Sequence, residues 1–233
     1  MPIEAVLRVD DLRFGYQPHT PVIRIDGLSV ARGESVFLRG PSGSGKSTLL
    51  SLIGGILTPD SGEVHVCGHD MAGAGPVARD RIRARHLGII FQQLNLLPYL
   101  DVVGNVTLAC RFSRARERAA AAQHCTVRAA ALRLLSALGL PDDHLGRPVA
   151  SLSVGQQQRV AVARALIGAP DLVIADEPTS ALDADNRDRF IELLDAQRRD
   201  TGCALLFVSH DEALAGHFDR AVDLSAINHR VAA

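Results

Sequence analysis

The sequence predicts an α/β protein: a mostly parallel sheet with an all-helical stretch set into it. Three observations carry this. Residues 35–50, SVFLRGPSGSGKSTLL, pass from a short apolar run through a glycine-rich turn into a helix-forming segment, the strand–loop–helix unit of parallel sheets. Continuous apolar runs return at 87–91, 172–175 and 204–209, as strands buried on both faces do. Between 92 and about 166, β-branched runs disappear and apolar residues recur at helical spacing. At 233 residues the chain suits one large domain better than two independent ones. The expected organisation is a single domain, 1–233, with a core over roughly 1–91 and 167–225 and a helical subdomain over 92–166.

In order along the chain, residues 5–9 and 12–16 alternate as strands, and Val22–Val30 forms a third. After the next strand, Gly40 to Ser47 reads G-x-x-x-x-G-K-S. Glycines let successive N–H groups curl into a nest, and the following helix adds its positive end. Gly40, Pro41, Ser42, Gly43, Ser44 and Gly45 therefore suit the phosphates of a nucleoside triphosphate. Lys46 offers a point charge to the outer phosphates, and the Ser47 hydroxyl can ligate Mg²⁺. Lys46 is the only lysine in the chain, and a compact ammonium fits a phosphate cradle where a forked guanidinium does not substitute freely.

A helix over 47–56 ends at Gly54 and Gly55, and GEVHVCG (62–68) reads as a strand. His65 and His69 lack a third ligand at metal-binding spacing and read as surface residues. RDRIRARH (79–86) suits a basic, exposed helix ahead of the buried strand LGIIF. Residues 111–140, rich in alanine and arginine, read as one or two amphipathic helices whose arginines face solvent. The strands LVIA and ALLFVS then return, separated by a helix over 185–200.

DLVIADEP (171–178) puts two carboxylates at the C-terminal end of a buried strand, where ligands gather in open α/β sheets. Asp176 is suited to hold Mg²⁺, and Glu177 to orient and deprotonate a water attacking the terminal phosphate. His210 closes another strand and can face the same phosphate. Ser153, Val154, Gly155 and Gln156 lead into a strongly helical run, a second helix N-terminus suited to an anion. Two anion sites and one phosphate chain imply that the second serves a partner subunit.

The near-neutral balance (net charge −1, 22% charged, 47% hydrophobic) argues against a dedicated nucleic-acid binder, so no nucleic-acid partner is expected. The four cysteines lack C-x-x-C spacing and read as buried or idle thiols in a reducing compartment, with neither disulfide nor zinc. No signal peptide is evident at the N-terminus, and no apolar stretch approaches the ~18 residues of a membrane span. The expected location is the cytosol, or a membrane surface to which another subunit holds the chain.

These motifs, in this order, resemble the nucleotide-binding subunits of ATP-binding cassette (ABC) transporters over nearly the whole chain. Tyr16 resembles the aromatic that stacks on adenine, GPSGSGKS (40–47) the Walker A loop, Gln92 the Q-loop glutamine and LSVGQ (152–156) the signature. LVIADE (172–177) resembles the Walker B strand, SALD (180–183) the D-loop and His210 the switch histidine. The resemblance implies a P-loop NTPase fold: a RecA-like, mostly parallel core sheet with an N-terminal antiparallel β part and an inserted α-helical subdomain. It implies ATP and Mg²⁺ as cofactors, with Tyr16, Gly40 to Thr48, Gln92, Ser153, Gly155, Gln156 and Asp183 at the nucleotide. Ser47, Gln92 and Asp176 would hold the metal, and Glu177, His210 and Lys46 would carry catalysis. It further implies a head-to-tail homodimer with two ATPs sandwiched between Walker A and the facing signature.

Where the family signature most often has glycine, this chain has Val154. A β-branched residue disfavours positive φ, so strain is expected if the backbone needs that conformation. Ser153 and Gly155 are kept, so activity is expected to survive. Residues 91–109, FQQLNLLPYLDVVGNVTLA, resemble the bacterial cassettes that include the macrolide exporter, the lipoprotein-release ATPase and the cell-division ATPase. This likeness implies a separate integral-membrane permease docking through Gln92–Ala109, a periplasmic adaptor reached through it, and a place on the cytoplasmic face of the inner membrane. Two alternatives stand beside it. One is a low-activity or regulatory cassette ATPase, motivated by Val154. The other is a soluble DNA-maintenance ATPase, which expects a coiled-coil insert or a basic surface that the sequence lacks.

Overall fold

The computed structural model describes residues 5–17, 20–180 and 182–229. β1 (Ala5–Phe14) pairs antiparallel with β2 (Ile23–Ala31), which leads through a tight turn into β3 (Ser35–Arg39). The glycine-rich loop follows, then α1 (Lys46–Ile53), which ends a turn earlier than the expected 47–56 because Gly54 caps it and Gly55 turns left-handed. β4 (Ser61–Val66) and β5 (His69–Asp70) complete a four-stranded antiparallel sheet in the order β2-β1-β4-β5. α2 (Pro76–His86) starts three residues before the expected helix, with Pro76 in its first turn, and runs directly into β6 (Leu87–Ile90). Four helices then run without a strand: α3 (Val102–Arg111), α4 (Arg114–His124), α5 (Val127–Ala137) and α6 (Val154–Leu166). β7 (Leu172–Asp176), α7 (Ala184–Thr201), β8 (Ala204–Ser209), β9 (Arg220–Asp223) and the short α8 (Leu224–Ile227) finish the described chain. The second sheet is parallel throughout, in the order β6-β7-β8-β3-β9.

The parallel sheet divides two cores. Val36, Leu38, Leu172, Ile174, Leu206 and Val208 pack toward the antiparallel sheet and α1. Phe37, Val173, Ala175, Leu205 and Phe207 pack toward α3, α5, α6 and α7. Strands covered on both faces have no polar side to show, which is why they read as continuous apolar runs.

Two expectations need correction. The two predicted strands 5–9 and 12–16 are one ten-residue strand, which stops at Phe14. Its alternation breaks at a bulge, where Asp11 takes φ +46 and the register against β4 shifts. Gly62 passes so close there that a Cβ on it would lie 2.3 Å from the Asp11 carbonyl oxygen. Second, one arginine of residues 111–140 is not solvated: Arg116 is 4% exposed. That stretch, expected as one or two helices, forms two, capped by Ser113 and Thr126 and broken at Cys125.

Candidate active site

β3 delivers the chain to Gly40, where a Cβ would lie 2.6 Å from the Ser44 hydroxyl oxygen. Gly43 and Gly45 take φ +74 and +101, conformations that side chains disfavour. Gly45 therefore caps α1 with no side chain of its own, and no side-chain hydrogen bond caps that end of the helix. The Ser44 hydroxyl oxygen is buried with no hydrogen-bond partner. Lys46 is nearly buried. Its Nζ donates to the carbonyls of Gly40 (2.6 Å) and Pro41 (3.1 Å) and stands 3.6 Å from Glu177 Oε1.

β7 carries Asp176 and Glu177 to the same end of the sheet. Burial, and then the neighbouring Glu177, push the Asp176 carboxyl up, with Lys46 pulling the other way. Glu177 leaves the strand at φ +46, an uncommon conformation for glutamate. Its N–H donates to the Val208 carbonyl at 2.9 Å, which ties the bend to β8. His210, just past β8, places Nδ1 2.8 Å from Glu177 Oε2. Backbone strain held by an adjacent strand next to a lysine and a histidine is characteristic of catalytic positions. Gln92 follows β6 at this same end. A cavity of about 590 Å³ is lined by residues 41–48 with Gln92, Asp176, Glu177 and His210. A hydroxyl, a carboxylate and a side-chain carbonyl (Ser47, Asp176, Gln92) are hard oxygen donors of the kind Mg²⁺ takes. Asp176's burial beside Glu177 also favours a cation there.

The other sequence candidates lie elsewhere. Tyr16 stands 64% exposed and edge-on to Phe14, its hydroxyl 3.2 Å from the Thr48 hydroxyl, where it lines a separate hollow with Arg13 and Asp60. Ser153 caps α6: its hydroxyl accepts from the Gln156 N–H, and Gln156 Oε1 accepts from the Ser153 N–H. Ser153, Gly155 and Gln156 open on another cavity, which shares no residue with the first. Val154 is the first residue of α6 and is not at positive φ, so the backbone strain expected of it is absent. Asp183 caps α7 by accepting from the N–H and side-chain amide of Asn186, which hold its carboxyl below the usual range. Ala181 of the SALD segment lies outside the described residues.

Sequence reasoning missed the residues that tie these parts together. Gln158 on α6 donates to the Pro178 carbonyl (3.0 Å), just past Glu177. Arg164, a turn and a half further along the same helix, donates to the carbonyls of Leu94 and Asn95, just past Gln92. Asn105, fully buried, accepts from the Leu97 N–H and donates to three carbonyls of the 97–101 loop. The available signal was a polar residue on a helix face that is otherwise apolar.

A family model described as ABC transporter matches residues 24–180. The uncharacterized ABC transporter ATP-binding protein YbbA of Escherichia coli (strain K12) is 40% identical over 229 residues, covering 96% of each chain. Among solved structures, the dimeric ATP-binding cassette MJ0796 in a post-hydrolysis state with ADP and Pi aligns at TM-score 0.79 and 31% identity, over 93% of each chain. CbiO1 of Clostridium perfringens, part of the ABC transporter complex cbiONQ, aligns at TM-score 0.78 and 25% identity, over 94% of this chain and 84% of that one. With a phosphate loop, paired carboxylates and a histidine converging on one cavity, the chain belongs to the ABC transporter family, as an ATP-binding subunit that hydrolyses ATP to drive transport.

Proposed function

We propose that the chain works as one half of a head-to-tail homodimer that closes on two ATPs and moves a separate membrane permease. The proposed permease system is of the exporting or force-transmitting kind exemplified by the macrolide exporter and the lipoprotein-release ATPase. The observation that carries this is the split site. Lys46, Asp176, Glu177 and His210 face one cavity, while Ser153, Gly155 and Gln156 cap a helix that faces another. A second copy turned head to tail supplies the missing half to each, and the dimeric state of the MJ0796 cassette supports this reading. An apolar groove lined by Val77, Phe91, Leu108, Ala109 and Phe112, with Phe112 72% exposed, adjoins Gln92–Ala109 and suits an apolar segment of the permease. Residues 92–166 then act as the helical subdomain that carries permease contact and signature together. Such a permease, with a periplasmic adaptor beyond it, would hold the chain to the cytoplasmic face of a membrane.

In the mechanism, phosphate oxygens replace the Gly40 and Pro41 carbonyls as partners of Lys46, exchanging neutral acceptors for charged ones. Ser47, Asp176 and Gln92 would hold Mg²⁺, which supplies neutralisation of phosphate charge. Glu177 takes the proton of the attacking water, and His210 Nδ1, within 3.0 Å of both of its carboxylate oxygens, holds that carboxylate in place. Tyr16 offers its exposed ring face to adenine.

The test is ATPase rate against protein concentration, with Glu177→Gln and Lys46→Ala alongside. The expected rate rises more steeply than linearly. Glu177→Gln lowers turnover by about 10²–10⁴-fold while ATP still binds, and Lys46→Ala weakens binding itself. A strictly linear rate would remove the composite site, and wild-type turnover in Glu177→Gln would remove the general base.

A further inference from the structure

At the end of the parallel sheet remote from the nucleotide cavity, three side chains from three elements converge. Cys67 lies in the two-residue turn of the β4–β5 hairpin, at φ +49 beside Gly68 at φ +75. His86 is the last residue of α2, and Asp171 directly precedes β7. One ligand atom from each of Cys67, His86 and Asp171 lies within 4.8 Å of the others, the one such group among the described residues. The backbone already holds them. The Asp171 N–H donates to the His86 carbonyl (3.0 Å), the Ala204 N–H to the Asp171 carbonyl (2.9 Å), and the Cys67 N–H to the Val6 carbonyl (2.8 Å). His86 Nδ1 stands 2.7 Å from Asp171 Oδ2. His69, on the other side of the hairpin turn, puts its ring centroid 5.2 Å from that of His86.

We propose that Cys67, His86 and Asp171 bind a zinc ion, and that His69, outside the 4.8 Å group but adjacent to His86, turns its ring in as the fourth ligand. A thiolate, two imidazoles and a carboxylate are the donor set zinc takes at a four-coordinate site. They are unlike the hard-oxygen set around Asp176, so the two cation sites differ in chemistry as well as place. β7 separates them by five residues, about 16 Å of strand. Thiolate and carboxylate together balance a dication. The opposing charges are Arg85 and Arg32, the latter 3.5 Å from Asp171 Oδ1 on a side chain 56% exposed to solvent. Binding displaces the Cys67 thiol proton and joins the hairpin of the antiparallel sheet to α2 and to the first residue of β7. No spacing in the sequence announces this, because 67, 86 and 171 meet only through the pairing of strands.

Cobalt(II) is the probe, added to the full chain carrying Cys125→Ser to remove the exposed competing thiol. The expected result is a thiolate-to-cobalt charge-transfer band that saturates at one equivalent, is abolished by one equivalent of zinc, and withstands excess Mg²⁺. Cys67→Ser removes the band, and Asp171→Asn weakens zinc binding by about 10–100-fold, the range for loss of a metal-site partner. ATP binding, measured on each variant, shows that it is folded. A folded protein without the band, or a band that survives Cys67→Ser, overturns the site. Unchanged zinc affinity in His69→Ala overturns the fourth ligand.

Discussion

Val154 is a β-branched residue where the family signature most often has glycine, and its environment defines the consequence. It is the first residue of α6, takes no left-handed φ, and is 53% exposed. Nothing in the backbone is relieved by removing its side chain. Val154→Gly is therefore expected to destabilise slightly, by about 0.5 kcal/mol or a fall of roughly 1–2 °C in melting temperature, because glycine orders less readily in a helix. It is also expected to bring no gain in ATP turnover. A several-fold gain would mean that the isopropyl group obstructs the approach of a second copy, which restores the reading as a low-activity cassette. Glu177 is the opposite case. There the strain is real, at φ +46, and it is maintained by the hydrogen bond to Val208. A residue whose conformation disfavours folding but aims a carboxylate at a lysine and a histidine fits the general-base role proposed for Glu177.

Between elements, Arg116 shows how the helical stretch is fastened to the sheet. From α4 its guanidinium reaches the carbonyls of Leu87 at the start of β6 (3.1 Å), and of Ala165 (2.6 Å) and Ile167 (2.9 Å) at the end of α6. Burial lowers its pKa to about 10, which leaves it charged at neutral pH. The planar fork is what lets one side chain satisfy three carbonyls at once. Arg116→Leu leaves those carbonyls buried and short of a donor, and is expected to cost about 3 kcal/mol, or roughly 10 °C in melting temperature. Arg116→Lys recovers only part of this, and full recovery in thermal melts would show that the charge matters but not the fork. The same contrast explains what was legible in the sequence. The phosphate loop, Asp176, Glu177 and the strand ALLFVS were readable because each is fixed by its own neighbours in the chain. The β1 bulge, Arg116, Gln158, Arg164 and the Cys67–His86–Asp171 group were not, because distant partners decide them. Among candidate residues the type and order were readable. The separation of Ser153–Gln156 from Lys46 into two cavities followed from composition of the fold, though the surplus anion site already pointed that way.

For the whole molecule, the junction between the two sheets is apolar inside and charged at its edge. Glu34, between β2 and β3, accepts from the Ala31 N–H (2.7 Å) and from Arg220 Nε (2.7 Å), and Arg220 also donates to the Ser29 carbonyl of β2. Asp219 Oδ2 accepts from the N–H and the hydroxyl of Ser35, both at 2.8 Å, which joins the start of β9 to the start of β3. The Ser35 N–H and then its hydroxyl hold the Asp219 carboxyl below its usual range. Burial works against ionisation of Glu34, but Arg220 and the Ala31 N–H outweigh it and hold that carboxyl low as well. A carboxyl whose pKa is lower in the folded than in the unfolded chain adds stability above the unfolded value, about 4, and loses it as pH falls through the folded value. The corner is thus intact at neutral pH and releases in acid. Asp219→Asn keeps the shape but removes the charge, and solvent screening limits its effect at pH 7 to about 1 kcal/mol. Urea denaturation of both proteins at pH 7 and stepwise down to about pH 2 decides it, because the gap between the two should shrink as pH falls through the lowered folded-state value of the Asp219 carboxyl. If the gap is as wide in acid as at neutrality, the Asp219 charge does not close the edge, and the two sheets are held by their shared apolar layer alone.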